Sequence, residues 1–376
     1  MKIGILTFWW TEDNYGQILQ CFALGEYLRS LGHEVSVIKY DGRNDLLPTP
    51  FPKRILKIFS IKILIKYIRK MFIKSYDVRD FESFKTTYLN FTPVLYKNFD
   101  SLISDPPEFD CYIVGSDQVW YFGDDINRNK KRLHAYFLDF GKKNVLRIAY
   151  AASWGKNSLQ PKIEDEIREL IPAFQYVSVR ETSGLNLCLQ CGFPDPKLVV
   201  DPVMLLSPDV YRKLYKKKNT GEKDPYVFVY LLDNTCTISL HLLKKWADLN
   251  RLQIIYVTGN SRYDKFPKTF PAIEEWLQYI DNASFVVTNS FHCSVFSILF
   301  HKSYGIVPLR GKEFSSMNNR FYTLSNIAKS PDRFIEKNNF DVLKNAIDWD
   351  TVDTALNQHI TFSHNFIVNS LGTVYE

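Results

Sequence analysis

The start of the chain alternates between short apolar runs and a longer stretch with helical spacing. Residues 2–8 form an apolar run that predicts a buried strand. Apolar side chains then recur at helical spacing over residues 18–28, and Gly32 follows them as a typical helix terminator. A second apolar run at 35–38 completes a strand–helix–strand unit. Since such units build parallel sheets covered by helices on both faces, the sequence predicts an α/β fold.

Three further apolar runs in the first half of the chain end in small or polar residues. Residues 111–114 precede Gly115-Ser116-Asp117, residues 147–151 precede Ser153, and residues 177–180 end in Arg180. Ligands bind beyond the carboxyl ends of the strands in open α/β sheets. We therefore predict that these polar residues line one side of a cleft.

The same alternation continues after a Lys-rich, linker-like stretch at 213–223. The predicted strands there are residues 226–231, 253–258 and 285–288. The last strand runs directly into a polar sequence, residues 289–292. We predict two Rossmann-like domains that face each other across a cleft. The predicted units are an N-terminal domain at 1–202, a C-terminal domain at 203–345, and a helical tail at 346–376 that packs back on the N-terminal domain.

Composition places the chain among folded globular proteins and argues against some functions. Its 376 residues are 45% hydrophobic and 23% charged, which is enough for two cores and far from the composition of disordered chains. No GxGxxG or GxxxxGK[ST] motif follows the first strand, so dinucleotide binding of that type and a P-loop are not expected. The net charge of +6 fits an anionic substrate or membrane surface. No aromatic-and-basic repeat points to nucleic acid.

The amino terminus lacks the basic region, long apolar run and small-residue cleavage site of a secretory signal, so we expect a cytoplasmic protein. The six cysteines are then reduced thiols. Cys188 and Cys191 form a lone CxxC without a second ligand pair, and the histidines have no spacing that suggests a shared metal. We therefore expect metal-independent chemistry and predict no metal ligands.

The segment 53–74 combines apolar residues with eight Lys or Arg residues. The basic residues on one helical face are Lys62, Lys66, Arg69, Lys70 and Lys74. Apolar residues share the opposite face, so the segment has the pattern of an amphipathic helix. Such a helix lies in a membrane interface in some proteins and packs its apolar stripe on its own domain in others. Both interpretations are compatible with the sequence.

Six short motifs follow one another along the chain. They are Asn14-Tyr15-Gly16-Gln17, Gly115 to Trp120, Tyr150 to Ser153, Ser178 to Glu181, Asp201-Pro202 and Ser290-Phe291-His292. Together and in this order, the motifs resemble the polysaccharide pyruvyl transferase family over most of the chain. The resemblance implies two Rossmann-like domains in a GT-B-like architecture. We place the acceptor on the N-terminal side of the cleft and the donor on the C-terminal side.

The resemblance also implies a reaction. Pyruvate would move from phosphoenolpyruvate onto two hydroxyls of a sugar in a bacterial surface polysaccharide precursor, forming a cyclic ketal. Phosphoenolpyruvate is then a co-substrate, and no further cofactor is expected. One acceptor compatible with the family is a sugar linked to polyprenyl diphosphate. Such an acceptor would bring the enzyme into peripheral contact with the inner face of the cytoplasmic membrane.

His292 is the predicted general acid, because a histidine titrates near neutrality and this one lies between a strand and a helix. Arg180 matches the family's donor-binding arginine, and a planar guanidinium suits phosphate or carboxylate. Other branches of the family carry an arginine where this chain has Ser290, so other arginines must hold the donor. His292 and Arg180 are the predicted catalytic residues, and Arg180 is also a candidate for holding the donor. The predicted donor-binding residues are Asn289, Ser290, Arg310, Ser315 and Arg320. The predicted acceptor-binding residues are Asn14, Tyr15, Gly16, Gln17, Ser116, Asp117 and Ser153.

Two other functions are compatible with the sequence. A GT-B glycosyltransferase that uses a nucleotide sugar would share the fold. A non-catalytic glycan-assembly protein would keep the architecture without turnover. Calorimetric titration with phosphoenolpyruvate and with nucleotide sugars distinguishes a pyruvyl transferase from the glycosyltransferase. An assay of phosphate release distinguishes it from the non-catalytic protein.

If the segment 53–74 lies on a membrane, its basic face should attract anionic lipid with about 1 kcal/mol for each charge near the surface. Changing Lys66, Arg69 and Lys70 to Glu should then reduce co-sedimentation with anionic liposomes, and added salt should weaken binding of the wild type. Activity on a short water-soluble acceptor should survive the change. Absence of wild-type binding even at low salt would mean that the helix packs on its own domain.

Overall fold

The computed structural model describes residues 1–46, 79–215, 224–236, 238–311, 315–330 and 332–372. The basic segment predicted at 53–74 lies outside these residues, as does most of the Lys-rich stretch. Within the described part of the chain, no helix is both long and apolar enough to cross a membrane. The chain folds into two α/β bodies, each with its own parallel sheet, which confirms the predicted fold class.

The first body is built on a six-stranded parallel sheet with the order β2-β1-β3-β4-β5-β6. Its strands are β1 (Lys2–Leu6), β2 (Glu34–Val37), β3 (Cys111–Val114), β4 (Leu146–Ala152), β5 (Tyr176–Val179) and β6 (Lys197–Leu198). Every residue of β3 is buried. The central strands are continuous apolar runs because helices cover both faces of a parallel sheet.

The helices of the first body are α1 (Tyr15–Ser30), α2 (Phe81–Tyr88), α3 (Phe99–Ser104), α4 (Ile126–Tyr136), α5 (Pro161–Leu170) and α6 (Thr182–Cys191). Helix α1 begins after Asn14, whose side-chain oxygen accepts a hydrogen bond from the backbone N–H of Gln17 at 3.3 Å. This cap satisfies one of the free N–H groups at the helix start. The helix ends before Gly32, which has a φ of 85°, a left-handed conformation that glycine adopts readily.

The second body carries a four-stranded parallel sheet with the order β10-β9-β7-β8. Its strands are β7 (Tyr226–Asp233), β8 (Gln253–Ser261), β9 (Phe285–Thr288) and β10 (Tyr304–Ile306). Its helices, with α7 leading into it, are α7 (Pro208–Leu214), α8 (Leu240–Leu249), α9 (Ile273–Asn282), α10 (Phe291–Leu299) and α11 (Asn319–Ile327). Helix α10 follows β9 after two residues, so its first turn starts at the carboxyl edge of this sheet.

The two bodies share one hydrophobic core. The largest cluster of buried apolar side chains contains residues from both sheets and from helices α1, α9 and α10. At its centre, the ring of Tyr15 stacks on the indole of Trp276, with centroids 5.0 Å apart and planes 6° apart. Tyr15 also donates a hydrogen bond from its hydroxyl to the carbonyl of Pro271 at 2.8 Å. This shared packing fixes the two carboxyl edges against each other.

The last helix, α12 (Trp349–Ser370), contacts both bodies. At its start, the indole of Trp349 stacks on the imidazole of His301 in the second body, with centroids 4.8 Å apart. Further along, the hydroxyl of Ser363 accepts a hydrogen bond from the backbone N–H of Val200 at 2.9 Å. Phe366 packs against Tyr150 of β4. The helix therefore lies across both bodies, while the domain boundaries at 202 and 345 stay a prediction.

Candidate active site

A cavity of ≈ 330 Å³ lies where the carboxyl edges of the two sheets meet. This volume is within the range of about 300–1,000 Å³ that is common for small-molecule sites. The side chains that line it from the first body are Thr11, Asp13, Asn14, Gln17, Asp117 and Gln118. Those from the second body are Leu232, Asp233, Thr235, Ser261, Asn289, Ser290, Phe291, His292, Leu309, Met317 and Arg320.

His292 is held in the first turn of α10, at the wall of this cavity. Ser290 caps the helix by accepting a hydrogen bond from the backbone N–H of Cys293 at 3.4 Å. The imidazole is 7% exposed, and its Nε2 lies 3.4 Å from Oδ2 of Asp201. The same Nε2 is 3.2 Å from Nη1 of Arg180. His292 therefore touches a carboxylate and a guanidinium that both belong to the first body.

Asp201 is the centre of a buried polar network. Its Oδ2 accepts hydrogen bonds from Nη1 of Arg180 at 2.7 Å and from the hydroxyl of Ser116 at 2.8 Å. Burial alone would raise the pKa of this carboxyl, but the charges of His292 and Arg180 outweigh burial and hold the pKa well below its usual range. For Arg180, burial opposes the charged form, and Asp201 and Asp117 still raise its pKa. Both groups are therefore charged.

The two contacts of Nε2 serve different protonation states of His292. A guanidinium has donors only, so Arg180 can hydrogen-bond to Nε2 only when that nitrogen carries no proton. When the imidazole is fully protonated, Nε2–H faces the carboxylate of Asp201 instead. The ring thus has a partner in both states, which suits a residue that gains and loses a proton. Nδ1 has no hydrogen-bond partner among the described residues.

Gly16 sets the position of the imidazole ring. A Cβ atom on this glycine would lie 2.4 Å from Cβ and 2.5 Å from Nδ1 of His292, closer than van der Waals contact permits. The first turn of α1 in one body can therefore approach the first turn of α10 in the other only because residue 16 lacks a side chain. Gly16 is not among the residues that line the cavity, and its predicted ligand contact stays a prediction beside this packing role.

The phenyl ring of Phe291 lies near two guanidinium groups. The Cζ atom of Arg180 is 4.6 Å from the ring centroid, and that of Arg320 is 6.0 Å from it. Arg320 forms no ion pair within the described part of the chain, and its Nε is buried without a hydrogen bond. Burial and the nearby charge of Arg180 lower the pKa of Arg320 to about 10, so it is still a cation at neutral pH. An anion in the cavity would supply the missing partner.

Asp117 occupies a strained backbone position beside the cavity. Its φ is 77°, a left-handed conformation that aspartate tolerates better than most residues. Its Oδ2 accepts a hydrogen bond from Nε2 of Gln17 at 2.9 Å, and its Oδ1 accepts one from the backbone N–H of Gln118 at 2.8 Å. The carboxylate is thereby fixed at the cavity wall, as the position of this residue after β3 led us to predict.

The structure brings most of the predicted residues to one place and excludes others from the cavity. Those that line it are Asn14, Gln17, Asp117, Asn289, Ser290, His292 and Arg320. Ser116 and Arg180 lie behind it in the network of Asp201. Asn289 is itself structural in part, because its Oδ1 accepts a hydrogen bond from the backbone N–H of Leu232.

Three of the predicted ligand-binding residues do not line the cavity. Tyr15 points into the shared core and donates its hydroxyl to the carbonyl of Pro271, so this hydroxyl is not directed at an acceptor sugar. Ser153 is fully buried, and its backbone N–H donates to the carbonyl of Asp117 at 3.0 Å. Arg310 is exposed and is not among the cavity residues. Ser315 starts a short 3₁₀ helix (Ser315–Asn318) that leads into α11 and Arg320.

Several residues of the site were missed by sequence reasoning. Asp201 was recognised only as part of a motif, although it pairs with both predicted catalytic residues. Asp233 ends β7 and Ser261 ends β8, so the rule about strand ends that found Asp117 would have found them too. Asp13 lies in the loop before α1. No group of three or more His, Cys, Asp or Glu side chains in the described residues is arranged to hold a metal ion.

A comparison with known protein families identifies the relatives of this chain. The profile of the polysaccharide pyruvyl transferase family matches residues 14–303, which contain the cavity residues from Asn14 to His292. The chain belongs to this family. It is therefore a transferase of polysaccharide biosynthesis, and the family implies a sugar acceptor and a pyruvate donor. No curated protein matches the chain significantly.

Several solved structures have a similar fold. The complex of S. aureus MnaA with UDP has a TM-score of 0.53 at 11% identity and covers 100% of the transferase chain and 98% of its own. UDP-GlcNAc 2-epimerase from Neisseria meningitidis has a TM-score of 0.51 at 9% identity and full coverage of both chains. An α-glucosyltransferase in complex with UDP and DNA has a TM-score of 0.50 at 10% identity, covering 99% and 100%. These similarities establish a GT-B fold and no more.

Adding a methyl group at Gly16 should disturb the transferase through His292. The Gly16→Ala variant must move the imidazole or the start of α1, and a catalytic group misplaced by about 1 Å can cost ~100-fold in rate. We expect kcat to fall by that order while circular dichroism shows an intact fold. Gly25→Ala in the same helix is the matched control, because its Cβ would meet only the end of the Arg29 side chain at 3.4 Å. Wild-type kcat for Gly16→Ala would show that α1 does not position His292.

Proposed function

We propose that this transferase moves the pyruvyl group of phosphoenolpyruvate onto two hydroxyls of one sugar in a surface polysaccharide precursor, forming a cyclic ketal. The observation that carries the proposal is the pairing of His292 with a partner for each protonation state, in a cavity that also contains an unpaired guanidinium. Family membership supplies the reaction class. The guanidinium of Arg320, which has no ion-pair partner among the described residues, supports an anionic donor.

In this proposal the donor lies against the second body. Arg320 is a cation without a carboxylate partner in the described chain, and the first turn of α10 adds the positive end of a helix dipole. Both features attract the phosphate and carboxylate of phosphoenolpyruvate. Arg320 thereby takes over the task of the arginine that other branches of the family carry at the position of Ser290. Arg180 contributes its charge from behind Phe291.

His292 acts first, as a general acid. With Nε2–H directed at Asp201, the proton on Nδ1 is the one available for transfer to the methylene carbon, C3, of phosphoenolpyruvate. Protonation at C3 generates an oxocarbenium-like centre at C2. A sugar hydroxyl then attacks C2, and its proton returns to the enzyme. The carboxylate of Asp117 lies at the cavity wall and accepts a hydrogen bond from the attacking hydroxyl in this proposal.

The second hydroxyl completes the ketal. It attacks C2 as the C2–O bond to phosphate breaks, and its proton leaves with the phosphate. Two C–O bonds form and one breaks, C3 gains one proton, and the products are the pyruvyl ketal and inorganic phosphate. Asn14, Gln17 and Gln118, from the first body, offer amide groups that suit the remaining sugar hydroxyls. A nucleotide-sugar glycosyltransferase would make no use of a proton donor for a methylene carbon.

Incubation with phosphoenolpyruvate and a panel of free and lipid-linked glycosides tests the proposal. Mass spectrometry should find the mass of an added pyruvyl ketal, and the assay should release one phosphate for each ketal formed. Release of a nucleoside diphosphate from a nucleotide sugar, without consumption of phosphoenolpyruvate, would overturn the proposal.

The His292→Gln variant should lose transfer while it keeps its fold and its affinity for the donor. General acid catalysis contributes ~100-fold to 10,000-fold, and glutamine retains a polar side chain without a titratable proton. The measurement is single-turnover phosphate release together with calorimetric binding of phosphoenolpyruvate. Turnover close to the wild-type value would remove His292 from the mechanism.

Changing Arg320 to Gln should weaken donor binding more than it changes the chemistry. Loss of a charge-assisted contact costs about 1.5–3 kcal/mol, which corresponds to a rise of ~10-fold or more in the KM for phosphoenolpyruvate. Arg310→Gln is the comparison, since Arg310 is exposed and outside the cavity lining. If Arg310→Gln raises this KM and Arg320→Gln does not, the donor is held at the rim of the cleft instead.

A further inference from the structure

Asp13 carries an unpaired negative charge at the cavity. It lines the cavity from the loop before α1 and is partly exposed. Its Oδ1 accepts a hydrogen bond from the hydroxyl of Thr11 at 3.0 Å. Its Oδ2 accepts one from the backbone N–H of Asn260 at 2.6 Å, across the cleft. Both donors are neutral, so they hold the carboxylate in place without cancelling its charge.

A second carboxylate at the cavity also keeps a negative charge that no ion pair cancels within the described residues. Asp233 lines the cavity from the end of β7, and its Oδ1 accepts a hydrogen bond from the backbone N–H of Thr235 at 2.9 Å. Within the described chain, neither Asp13 nor Asp233 has an ion-pair partner. Asp117 is the third carboxylate of the lining, and its closest cation is Nη2 of Arg180 at 3.8 Å. Three acidic side chains therefore face one cavity.

The cavity lining has few basic side chains to balance these three carboxylates. Among the described residues that line the cavity, Arg320 and His292 are the only basic side chains. In the proposed function the donor engages both, because Arg320 binds its anionic groups and His292 donates a proton to it. A second anionic ligand in the same cavity would meet three carboxylates and no free cation, so like-charge repulsion would oppose its binding. A neutral sugar meets carboxylate and amide groups that accept hydrogen bonds from its hydroxyls.

We infer that the sugar residue modified by this enzyme is uncharged, and that Asp13 is a specificity-determining residue that excludes uronic acids and other anionic sugars. The inference rests on the proposed function for the position of the donor. It names the substrate class of the acceptor half of the cavity. Asp13 contributes through its charge, and an asparagine in its place removes that charge while its amide oxygen can still accept one of the two hydrogen bonds, that from the backbone N–H of Asn260.

The test compares neutral glycosides with matched anionic ones. The probes are the methyl glycosides of glucose, galactose and mannose and the corresponding methyl uronides. Saturation-transfer NMR measures binding to the wild type, and ketal formation measures use as acceptor. We expect wild type to prefer a neutral glycoside over its uronide by about ten-fold or more, the size of one unit-charge interaction in a partly solvated cavity. Asp13→Asn should reduce this preference by about ten-fold, and its retained fold is checked by thermal unfolding.

Asp350→Asn is the matched control, because it removes one carboxylate from an exposed position on α12, outside the cavity lining. It should leave the preference unchanged. Uronides bound as tightly as neutral glycosides, no binding of any neutral glycoside, or an unchanged preference in Asp13→Asn would each overturn the inference. A calorimetric titration with phosphoenolpyruvate keeps the two proposals apart. Selective binding of neutral glycosides without any donor binding would contradict the proposed function and leave the selection by charge standing.

Discussion

The structure depends on one buried anion, the carboxylate of Asp201. It is fully charged in the interior and joins Ser116, Arg180 and His292, which arrive from three different strand ends. Removing one member of a buried ion pair typically costs about 3–5 kcal/mol, because the remaining charge is stranded away from water. His292 belongs to the second body and the other three groups to the first. The geometry of the proposed active site and the docking of the two bodies are therefore stabilised by the same interaction.

Much of this arrangement follows from local sequence. Apolar runs located the strands, and the rule that ligands bind at their carboxyl ends predicted the cavity positions of Asp117, Ser290 and His292. Helix caps such as Asn14 were also recognisable. These features depend on neighbours a few residues away, so the sequence contains them directly.

Pairings between distant residues could not be predicted in the same way. Arg180 and His292 are 112 positions apart, and no periodicity indicates that their side chains meet. Tyr15 is adjacent to residues of the cavity wall, yet the direction of the first turn of α1 sends its ring into the core against Trp276. Arg310 and Arg320 lie in the same polar stretch of sequence, and the sequence alone does not distinguish them. Only the path of the chain after β10 separates the exposed guanidinium from the one at the cavity.

Helix α12 completes the core of the first body, although it is translated much later than that body. Its Leu356 and Ile367 belong to the same buried cluster as Ile3 and Ile5 of the first strand. A ribosome delivers the amino-terminal body long before it delivers this helix. Until α12 has been made, the nascent first body lacks part of its apolar cover and the acceptor for the backbone N–H of Val200. A chain that stops before this helix would therefore expose apolar surface of the body that is translated first, and exposed apolar surface favours aggregation.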